Sequence, residues 1–191
     1  MPRRADAPPG RVRIVAGTLR GSRLDVPDAP GLRPTSDRVR ETLFNWLMPV
    51  IEGARCLDLF AGTGALGIEA LSRGAASVDF VESDPRLADL LRANLARLKQ
   101  NARVSRDDAQ RFVANTGAHY DVVFLDPPFD ADLWDSIAQA LESSGVLDVQ
   151  AWIYVESPGS DEPSLPANWH LHREGRASAV RYALYRRSAK L

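Results

Sequence analysis

The chain has 191 residues, is 45% hydrophobic, and balances 24 Lys and Arg against 25 Asp and Glu, a formal net charge of −1. This length supports one substantial core. Because no stretch approaches the roughly 20 apolar residues of a membrane span and the N-terminus lacks an apolar segment, we expect a cytoplasmic protein. The single cysteine, Cys56, excludes an intramolecular disulfide, and the three histidines lack metal-ligand spacing, so we expect no metal site.

The basic charge is concentrated near the N-terminus. Residues 1–40 contain nine arginines and four aspartates, a balance of +5, whereas the remaining 151 residues carry −6. We predict an unstructured lead over residues 1–10 and a β-hairpin from residues 11–16 and 23–26. A basic segment is typical of a polyanion-binding surface, with a solvated arm as the alternative. The arginines predicted to contact the polyanion are Arg11, Arg13, Arg20, Arg23, Arg33 and Arg40.

A helix follows this arm. Ser36 or Asp37 is the predicted N-cap, and Pro49 ends the helix. Arg38 lies in the first turn, where a cation opposes the helix dipole, which points to an anionic partner such as a carboxylate or a phosphate. We therefore predict a basic N-terminal arm and hairpin over residues 1–34 and one domain over residues 35–191.

Residues 55–71 form a short apolar strand, a glycine-rich turn and an amphipathic helix. Gly62, Gly64 and Gly67 match the dinucleotide-binding fingerprint, in which the backbone approaches the ligand closely. Glu82 ends the next strand, where a carboxylate binds ribose hydroxyls. On these residues alone, NAD stays a possible ligand, and so does a tight turn without a ligand.

Two features of the same turn favour S-adenosylmethionine over NAD. Asp58 places an acid inside the apolar strand, and Phe60 with Ala61 widens the loop before the first glycine. A wider, acidic loop suits a ligand that carries an amino acid and a sulfonium in place of two phosphates. We therefore expect S-adenosylmethionine at this turn.

The rest of the chain alternates strands and helices. Asp84 and Pro85 open a helix whose leucines at 87, 90, 91, 95 and 98 are predicted to be core. The predicted strands cover residues 77–82, 102–106, 120–125 and 151–156, and the last two, 169–173 and 179–185, form a hairpin. Repeated βα units predict a Rossmann-like α/β fold with a mostly parallel seven-stranded sheet and an antiparallel C-terminal hairpin.

A second motif, Asp126-Pro127-Pro128-Phe129, follows the strand at 120–125. In a doubly wound sheet this strand lies beside the one at 55–60, so the motif faces the glycine turn. Two prolines donate no N–H, so the motif offers only acceptors, which suits the exocyclic amine of a nucleobase. Phe129 is expected to stack on that base. The alternative is a proline-stiffened loop with a capping aspartate.

Three strings together resemble one known family. They are Arg-Ile-Val-Ala-Gly at 13–17, Arg-Pro-Thr-Ser-Asp-Arg-Val-Arg-Glu-Thr-Leu-Phe-Asn-Trp-Leu at 33–47 and Leu-Asp-Leu-Phe-Ala-Gly-Thr-Gly-Ala-Leu-Gly at 57–67. With the 126–129 motif they are similar to the RsmD family, which uses S-adenosylmethionine to methylate a guanine N2 of bacterial 16S ribosomal RNA. The similarity covers about residues 13–187, and the chain departs from it at 178–180, where the family usually carries a glycine.

The resemblance implies a role for each matching residue. Asp58 and the loop at 61–64 would hold the methionine part of the cofactor, Glu82 its ribose, and Asp108 with the Ala109 amide its adenine. The cofactor residues so expected are Asp58, Phe60, Ala61, Gly62, Thr63, Gly64, Glu82, Asp108, Ala109 and Arg38, and the catalytic residues are Asp126, Pro127, Pro128 and Phe129. The implied partner is 16S ribosomal RNA or the small ribosomal subunit particle, bound by a monomer without a membrane or a metal.

Several alternatives stay open at this point. Glu82 is also placed to cap the helix at 84, and Asp108 to cap its own short helix. A DNA adenine or protein glutamine amino-methyltransferase would use the same acceptor motif. An NAD-dependent oxidoreductase and a noncatalytic RNA-binding module are further alternatives.

Overall fold

The computed structural model describes residues 10–27, 34–160 and 162–189, and within these ranges it has the predicted α/β architecture. The strands are β1 (Gly10–Arg13), β2 (Arg23–Val26), β3 (Arg55–Asp58), β4 (Ser77–Val81), β5 (Arg103–Ser105), β6 (Tyr120–Leu125), β7 (Leu147–Pro158), β8 (Trp169–Ala177) and β9 (Val180–Arg187). The helices are α1 (Asp37–Leu47), α2 (Ala65–Ser72), α3 (Pro85–Arg97), α4 (Ala109–Asn115) and α5 (Trp134–Ser144). A turn of 3-10 helix covers Phe129–Ala131.

Seven of the strands form one sheet in the order β5-β4-β3-β6-β7-β9-β8, and β1 and β2 form a separate antiparallel pair. The strands β3, β4, β5, β6 and β7 run parallel, while β9 pairs antiparallel with both β7 and β8. β3 lies between β4 and β6, so the order of the strands reverses there. This is the switch point of a doubly wound sheet, where ligands bind at the carboxyl ends of the strands, and it confirms the predicted pairing of β3 with β6.

The sheet is covered on both faces. Cys56, Phe80 and Phe124 pack toward α1 and α2, whereas Leu57 and Leu125 pack toward α4 and α5, because successive side chains of a strand point to opposite faces. The apolar residues of the β1–β2 hairpin join the first of these clusters. The hairpin therefore shares its core with the sheet, and the division of the chain at residue 34 stays a prediction.

Several local predictions are confirmed. Ser36 caps α1 by accepting a hydrogen bond from the Val39 N–H, and Asp84 caps α3 in the same way, with Pro85 as its first residue. No helix among the described residues is long and apolar enough to span a membrane.

Other local predictions need correction. Gly10, predicted as part of an unstructured lead, begins β1, and the rest of that lead lies outside the described residues. Of the five leucines predicted to be core, only Leu91 and Leu95 are buried, and the other three are half-buried. β7, β8 and β9 are longer than predicted, because their polar residues continue the hydrogen-bonded pairing. In the β8–β9 turn, Ser178 has φ 55, a backbone conformation that favours the glycine it replaces in the family resemblance.

Candidate functional site

The turn between β3 and α2 is built by its glycines. Gly62 and Gly64 have φ of 53 and 80, which an L side chain adopts with strain. A Cβ on Gly64 would lie 2.3 Å from Leu91 Cδ1, and a Cβ on Gly67 would lie 2.3 Å from the Phe80 ring. Gly64 and Gly67 thus allow α2 to pack closely on its neighbours. The turn is thereby held at the switch point with the start of α2 facing the crevice.

Asp58 is placed behind this turn, not on its surface. Its carboxylate accepts a hydrogen bond from the Gly67 N–H at 2.9 Å, and the residue is only 2% exposed. Burial raises the pKa of Asp58 to about 7, the Gly67 hydrogen bond opposes this rise, and the Glu82 charge adds to it. Asp58 therefore fixes the first turn of α2 and brings negative charge to the crevice.

Glu82 links the two loops that border the crevice. One carboxylate oxygen accepts from the Gly62 N–H and the other from the Asp84 N–H, both at 2.8 Å. Glu82 does accept a hydrogen bond at the start of the helix at 84, as the capping alternative predicts. It also binds the glycine turn, so capping is not its only contact. Each oxygen still has a lone pair to offer, and the residue is half-buried.

The other predicted cofactor residues are distributed around the same end of the sheet. Asp108 is exposed and is the N-cap of α4, where it accepts from the Arg111 N–H at 3.0 Å, so its capping alternative holds. Ala109 is buried in the first position of that helix. Arg38 is exposed on α1. In the glycine turn, Ala61 and Thr63 are buried and Phe60 is half-buried.

Asp126 belongs to an acidic cluster that also contains Asp58 and Glu156. The parallel register pairs Leu125 of β6 with Val155 of β7, which brings the next residues, Asp126 and Glu156, side by side. The Glu156 carboxylate accepts from Thr35 Oγ1 at 3.1 Å and from the Tyr154 hydroxyl at 2.9 Å. We name Asp58, Asp126 and Glu156 the acidic cluster.

The acidic cluster has unusual protonation properties. Asp126 is half-buried, and burial raises the pKa of its carboxyl well above the usual range. The Glu156 and Asp58 charges raise that pKa further, and a hydrogen bond with Thr35 opposes the rise. Burial also raises the pKa of Glu156, against its hydrogen bonds with Tyr154 and Thr35. Like charges held close together in a buried site disfavour full ionisation, so a cation in the crevice would relieve their repulsion.

Sequence reasoning missed Glu156. It ends the apolar run that starts at Ala151. The available signal was an acid near the carboxyl end of a buried strand that pairs with the strand before the 126–129 motif. The apolar run alone predicts only the end of a strand at Glu156, because its neighbours become apparent from the register of β6 and β7.

The aromatic residue of the 126–129 motif is held against a second ring. Phe129 is half-buried, and its ring centroid lies 5.9 Å from that of Trp134, tilted by 52°. Trp134 in turn donates its indole N–H to the Glu156 carbonyl at 2.8 Å. Pro127 is buried and Pro128 exposed. The motif is thereby braced from α5 and β7.

The arginines predicted to bind a polyanion occupy different environments. Arg11 and Arg13 are exposed and form long ion pairs, with Asp25 at 3.6 Å and with Asp37 at 3.7 Å. Arg20 and Arg23 are exposed as well. Arg33 lies outside the described residues.

Arg40 requires a correction. Its side chain is fully buried, with Nη2 donating to the Arg13 carbonyl at 2.8 Å and Nε to the Thr35 carbonyl at 3.2 Å. Nη1 lies 3.6 Å from the buried carboxylate of Glu69. A guanidinium enclosed in this way does not reach a phosphate. The prediction that Arg40 contacts a polyanion is therefore wrong.

No group of three or more His, Cys, Asp or Glu in the described part of the chain is arranged to hold a metal ion. The acidic cluster offers carboxyl oxygens that can accept hydrogen bonds.

The chain resembles several known proteins over nearly its whole length. A family model described as Conserved hypothetical protein 95 matches residues 12–186. The chain is 53% identical over 183 residues to Ribosomal RNA small subunit methyltransferase D of Escherichia coli K12, covering 95% of this chain and 92% of that protein. It is 47% identical over 182 residues to the protein of the same name from Haemophilus influenzae, covering 92% and 94%.

Solved structures agree with this similarity. The structure titled putative methyltransferase yhhF from Escherichia coli has a TM-score of 0.87 and 50% identity, covering 95% of this chain and all of that one. A putative SAM-dependent methyltransferase from Streptococcus mutans has a TM-score of 0.69 at 13% identity, which shows the shared fold alone.

Proposed function

The chain belongs to the RsmD family, and on this premise we propose that it transfers a methyl group from S-adenosylmethionine to the exocyclic N2 of a guanine in 16S ribosomal RNA. Methyl transfer to small-subunit ribosomal RNA follows from the named relatives. The methyl donor and an amine as methyl acceptor are supported by the chemistry of the site, and the guanine N2 is supported by the family resemblance.

The acidic cluster is the observation that carries this proposal. S-adenosylmethionine supplies a methyl group on a positively charged sulfur, next to an amino group that is also positive. Burial raises the pKa of each of the three carboxyls at the ends of β3, β6 and β7, and a bound cation would offset this rise by favouring their ionised forms. In their ionised forms they would repel the pyrophosphate of NAD, which argues against the oxidoreductase alternative. The acidic cluster therefore fits S-adenosylmethionine as the methyl donor.

Each residue of the site has a proposed role in binding the cofactor or the guanine. The glycine turn at 61–64, which Asp58 supports from behind through Gly67, binds the methionine part, Glu82 the ribose, and Asp108 with the Ala109 amide the adenine. Asp126 and the Pro127 carbonyl accept hydrogen bonds from the amine, which orients its nitrogen and stabilises the positive charge that builds on it. Phe129, braced by Trp134, stacks on the guanine. Arg38 is placed to bind the carboxylate of the methionine part.

The function is tested by incubating the protein with labelled S-adenosylmethionine and small ribosomal subunits from cells that lack it. We expect N2-methylguanosine in 16S ribosomal RNA, detected by mass spectrometry of nucleosides. Matched reactions contain naked 16S ribosomal RNA, DNA with unmethylated adenine, or glutamine peptides. Label in DNA or peptide but not in ribosomal RNA would contradict the proposal and favour the rival amino-methyltransferases.

Glu82→Ala should weaken S-adenosylmethionine binding by about 1.5 to 3 kcal/mol, or about 10- to 150-fold in Kd, because it removes two charge-assisted hydrogen bonds to the ribose. Isothermal titration calorimetry measures the change. The Glu82 carboxylate also joins Gly62 to Asp84, so Asp84→Ala serves as the control that loosens the same loop without removing a ligand group. Equal losses in the two variants would remove Glu82 from the cofactor site.

We propose that the hairpin face carrying Arg11, Arg13, Arg20 and Arg23 binds the phosphates of the RNA. Arg20→Ala with Arg23→Ala should flatten the slope of log K against log salt by roughly one unit per lost contact. Cofactor affinity should stay unchanged. The measurement is fluorescence anisotropy with a labelled RNA fragment at several salt concentrations.

A double variant with the same loss of charge, Arg173→Ala with Arg186→Ala on the C-terminal hairpin, controls for net charge. Both of these arginines are exposed. If the two double variants change the salt slope equally, the effect is a property of net charge and the RNA surface is not the N-terminal hairpin.

A further inference from the structure

Glu156 is held through one of its two carboxylate oxygens. Its Oε2 accepts from the Thr35 hydroxyl at 3.1 Å and from the Tyr154 hydroxyl at 2.9 Å. Both donors belong to buried residues, Thr35 just before α1 and Tyr154 within β7. Because two buried donors meet at Oε2, they also fix the direction in which the other oxygen, Oε1, points.

The second oxygen of Glu156 is open. Among the described residues, Oε1 has no hydrogen-bond partner. The fully enclosed side-chain atoms that lack a partner in this part of the chain are Arg40 Nη1, Asn94 Nδ2 and Asn168 Oδ1, and Glu156 Oε1 is not one of them. Oε1 therefore retains access to solvent, although Glu156 as a whole is only 7% exposed.

This open oxygen lies next to the acceptor motif. The register pairs Leu125 with Val155, so Asp126 and Glu156 follow side by side at the carboxyl ends of two paired parallel strands. Neighbouring strands of a sheet are about 4.8 Å apart, and this end of the sheet is where ligands bind. A group that meets the Asp126 carboxylate in the crevice therefore has a second acceptor, Glu156 Oε1, within reach.

Guanine carries two neighbouring donors on its Watson–Crick edge. The exocyclic N2 amine lies beside the ring N1–H, and enzymes that act on an unstacked base read this edge by hydrogen bonds. Adenine has no hydrogen on N1, so its N1 accepts where that of guanine donates. An acceptor next to the one that holds the amine thus fits guanine and disfavours adenine, because two acceptors cannot bond to each other.

We propose that Glu156 selects guanine, with Oε1 accepting a hydrogen bond from the ring N1–H while Asp126 and the Pro127 carbonyl accept from the N2 amine. This inference rests on the proposed function for the amine that is methylated, and it adds how the base is recognised. No bond of N1 forms or breaks in methyl transfer, so Glu156 determines specificity. The two hydroxyls on Oε2 keep the acceptor Oε1 in place.

Glu156→Gln tests the inference because it replaces an acceptor by a donor of the same shape. The Thr35 and Tyr154 hydroxyls donate to Oε2, so the amide oxygen should take that position and the NH₂ group the position of Oε1. This NH₂ group cannot accept from the N1–H of guanine, but it can donate to an unprotonated ring N1.

Two base analogues have such an N1. 2-Aminopurine and 2,6-diaminopurine both keep the 2-amine and lack a hydrogen on N1, and they differ from each other at position 6. An effect common to both is therefore due to N1. Each analogue replaces the target guanine in a synthetic fragment of 16S ribosomal RNA. The measurement is the single-turnover rate at subsaturating RNA and saturating S-adenosylmethionine, which reports the specificity for each base.

The wild type should prefer guanine over both analogues by about 100-fold or more, because a site that hydrogen-bonds a substrate N–H rejects an analogue without it. In Glu156→Gln the ratio of the guanine rate to the analogue rate should fall by about 100-fold. Comparing the two ratios cancels the intrinsic reactivity of each amine. Loss of packing alone would slow methylation of all three bases by the same factor.

Glu142→Gln is the matched control. Glu142 is also a buried glutamate, with a side chain that is 4% exposed, but it lies on α5 and accepts from Arg187 of β9. Its substitution should leave the ratio of guanine to analogue at the wild-type value, whatever happens to stability. Thermal melting followed by circular dichroism establishes that each variant is folded at the assay temperature.

The outcomes separate this inference from the proposed function. A ratio that changes by less than about tenfold in Glu156→Gln, or equally in Glu142→Gln, overturns the role of Glu156 and leaves guanine methylation intact. The wild type gives a test that needs no variant, since a preference for guanine of less than about tenfold over both analogues also overturns that role. Label in DNA or peptide but not in guanine overturns the proposed function, and this inference with it.

Discussion

Asp126→Ala should lower the single-turnover rate of methyl transfer by about 10²- to 10³-fold or more, because one preorganised electrostatic partner is typically worth that much and Asp126 also positions the nucleophile. The amine of guanine is a poor nucleophile, since its lone pair is delocalised into the ring. In the proposed mechanism, hydrogen bonds from its two N–H groups to Asp126 and to the Pro127 carbonyl favour attack on the methyl group. Removing the charged acceptor leaves only the carbonyl.

The pH dependence has a defined sign. Asp126 must be ionised to accept the amine, and burial with the nearby carboxyl charges raises its pKa well above the usual range. The wild-type rate should therefore fall as the pH drops through that raised value, at a higher pH than for an ordinary aspartate. A rate measured from acid to neutral pH with saturating cofactor reveals this limb.

Two comparisons make the Asp126 experiment specific. Asp126→Asn keeps an acceptor oxygen without the charge and should retain more activity than Asp126→Ala. Cofactor affinity should stay within roughly tenfold in both variants, because the glycine turn and Glu82 are unchanged. Asp130→Ala, at an exposed position of the 3-10 helix that follows, is the matched control. Near wild-type turnover by Asp126→Ala would show that the acceptor mechanism does not operate in this protein.

The parts of the fold that sequence predicts well are the locally determined ones. Strand β6 has its predicted bounds because an apolar run, Tyr120–Leu125, ends abruptly at an acid and two prolines. The caps of α1 and α3 follow from side-chain hydrogen bonds to N–H groups a few residues away. The glycine turn is predictable for the same reason, because positive φ at Gly62 and Gly64 is a property of the residues themselves.

The parts that sequence predicts poorly depend on distant neighbours. Glu156 becomes a member of the acidic cluster only through the register that pairs Leu125 with Val155. Arg40 reads as one more exposed arginine in a basic segment, yet it lies on the buried side of α1 and meets Glu69 there. The half-buried leucines of α3 likewise depend on which elements cover that helix. Charge and periodicity do not determine such contacts.

Arg40 and Glu69 connect three elements that are far apart in sequence. The Glu69 carboxylate of α2 accepts from the Val15 and Ala16 N–H groups at 2.9 and 3.0 Å, and from Arg73 Nε at 2.9 Å. Arg40 of α1 donates to the carbonyls of Arg13 and Thr35. Through these bonds the N-terminal hairpin is attached to α1 and α2. The Arg40 Nη1 lacks a hydrogen-bond partner in the described residues and faces Glu69.

Arg40→Met should reduce the free energy of unfolding by about 3 to 5 kcal/mol, the typical result of removing one partner of a buried ion pair. The variant leaves the buried Glu69 carboxylate without one of its two arginines and leaves two carbonyls without donors. For a chain of this size the melting temperature should fall by roughly 6 to 20 °C. Urea denaturation followed by circular dichroism measures the change.

The Arg40→Met variant also tests whether Arg40 contributes to RNA binding. Arg86→Met, which breaks the exposed pair with Asp84 at 3.1 Å, should leave the free energy of unfolding nearly unchanged, because solvent screens an exposed ion pair. Adding Glu69→Gln to Arg40→Met should reduce the free energy of unfolding by less than the sum of the two single changes. Arg40→Met leaves the Glu69 charge buried without this partner, and Glu69→Gln removes that charge.

At a temperature where Arg40→Met stays folded, its salt slope for RNA binding should equal that of the wild type. A stable Arg40→Met protein with a flattened salt slope would instead mean that the guanidinium leaves its buried site to bind phosphate.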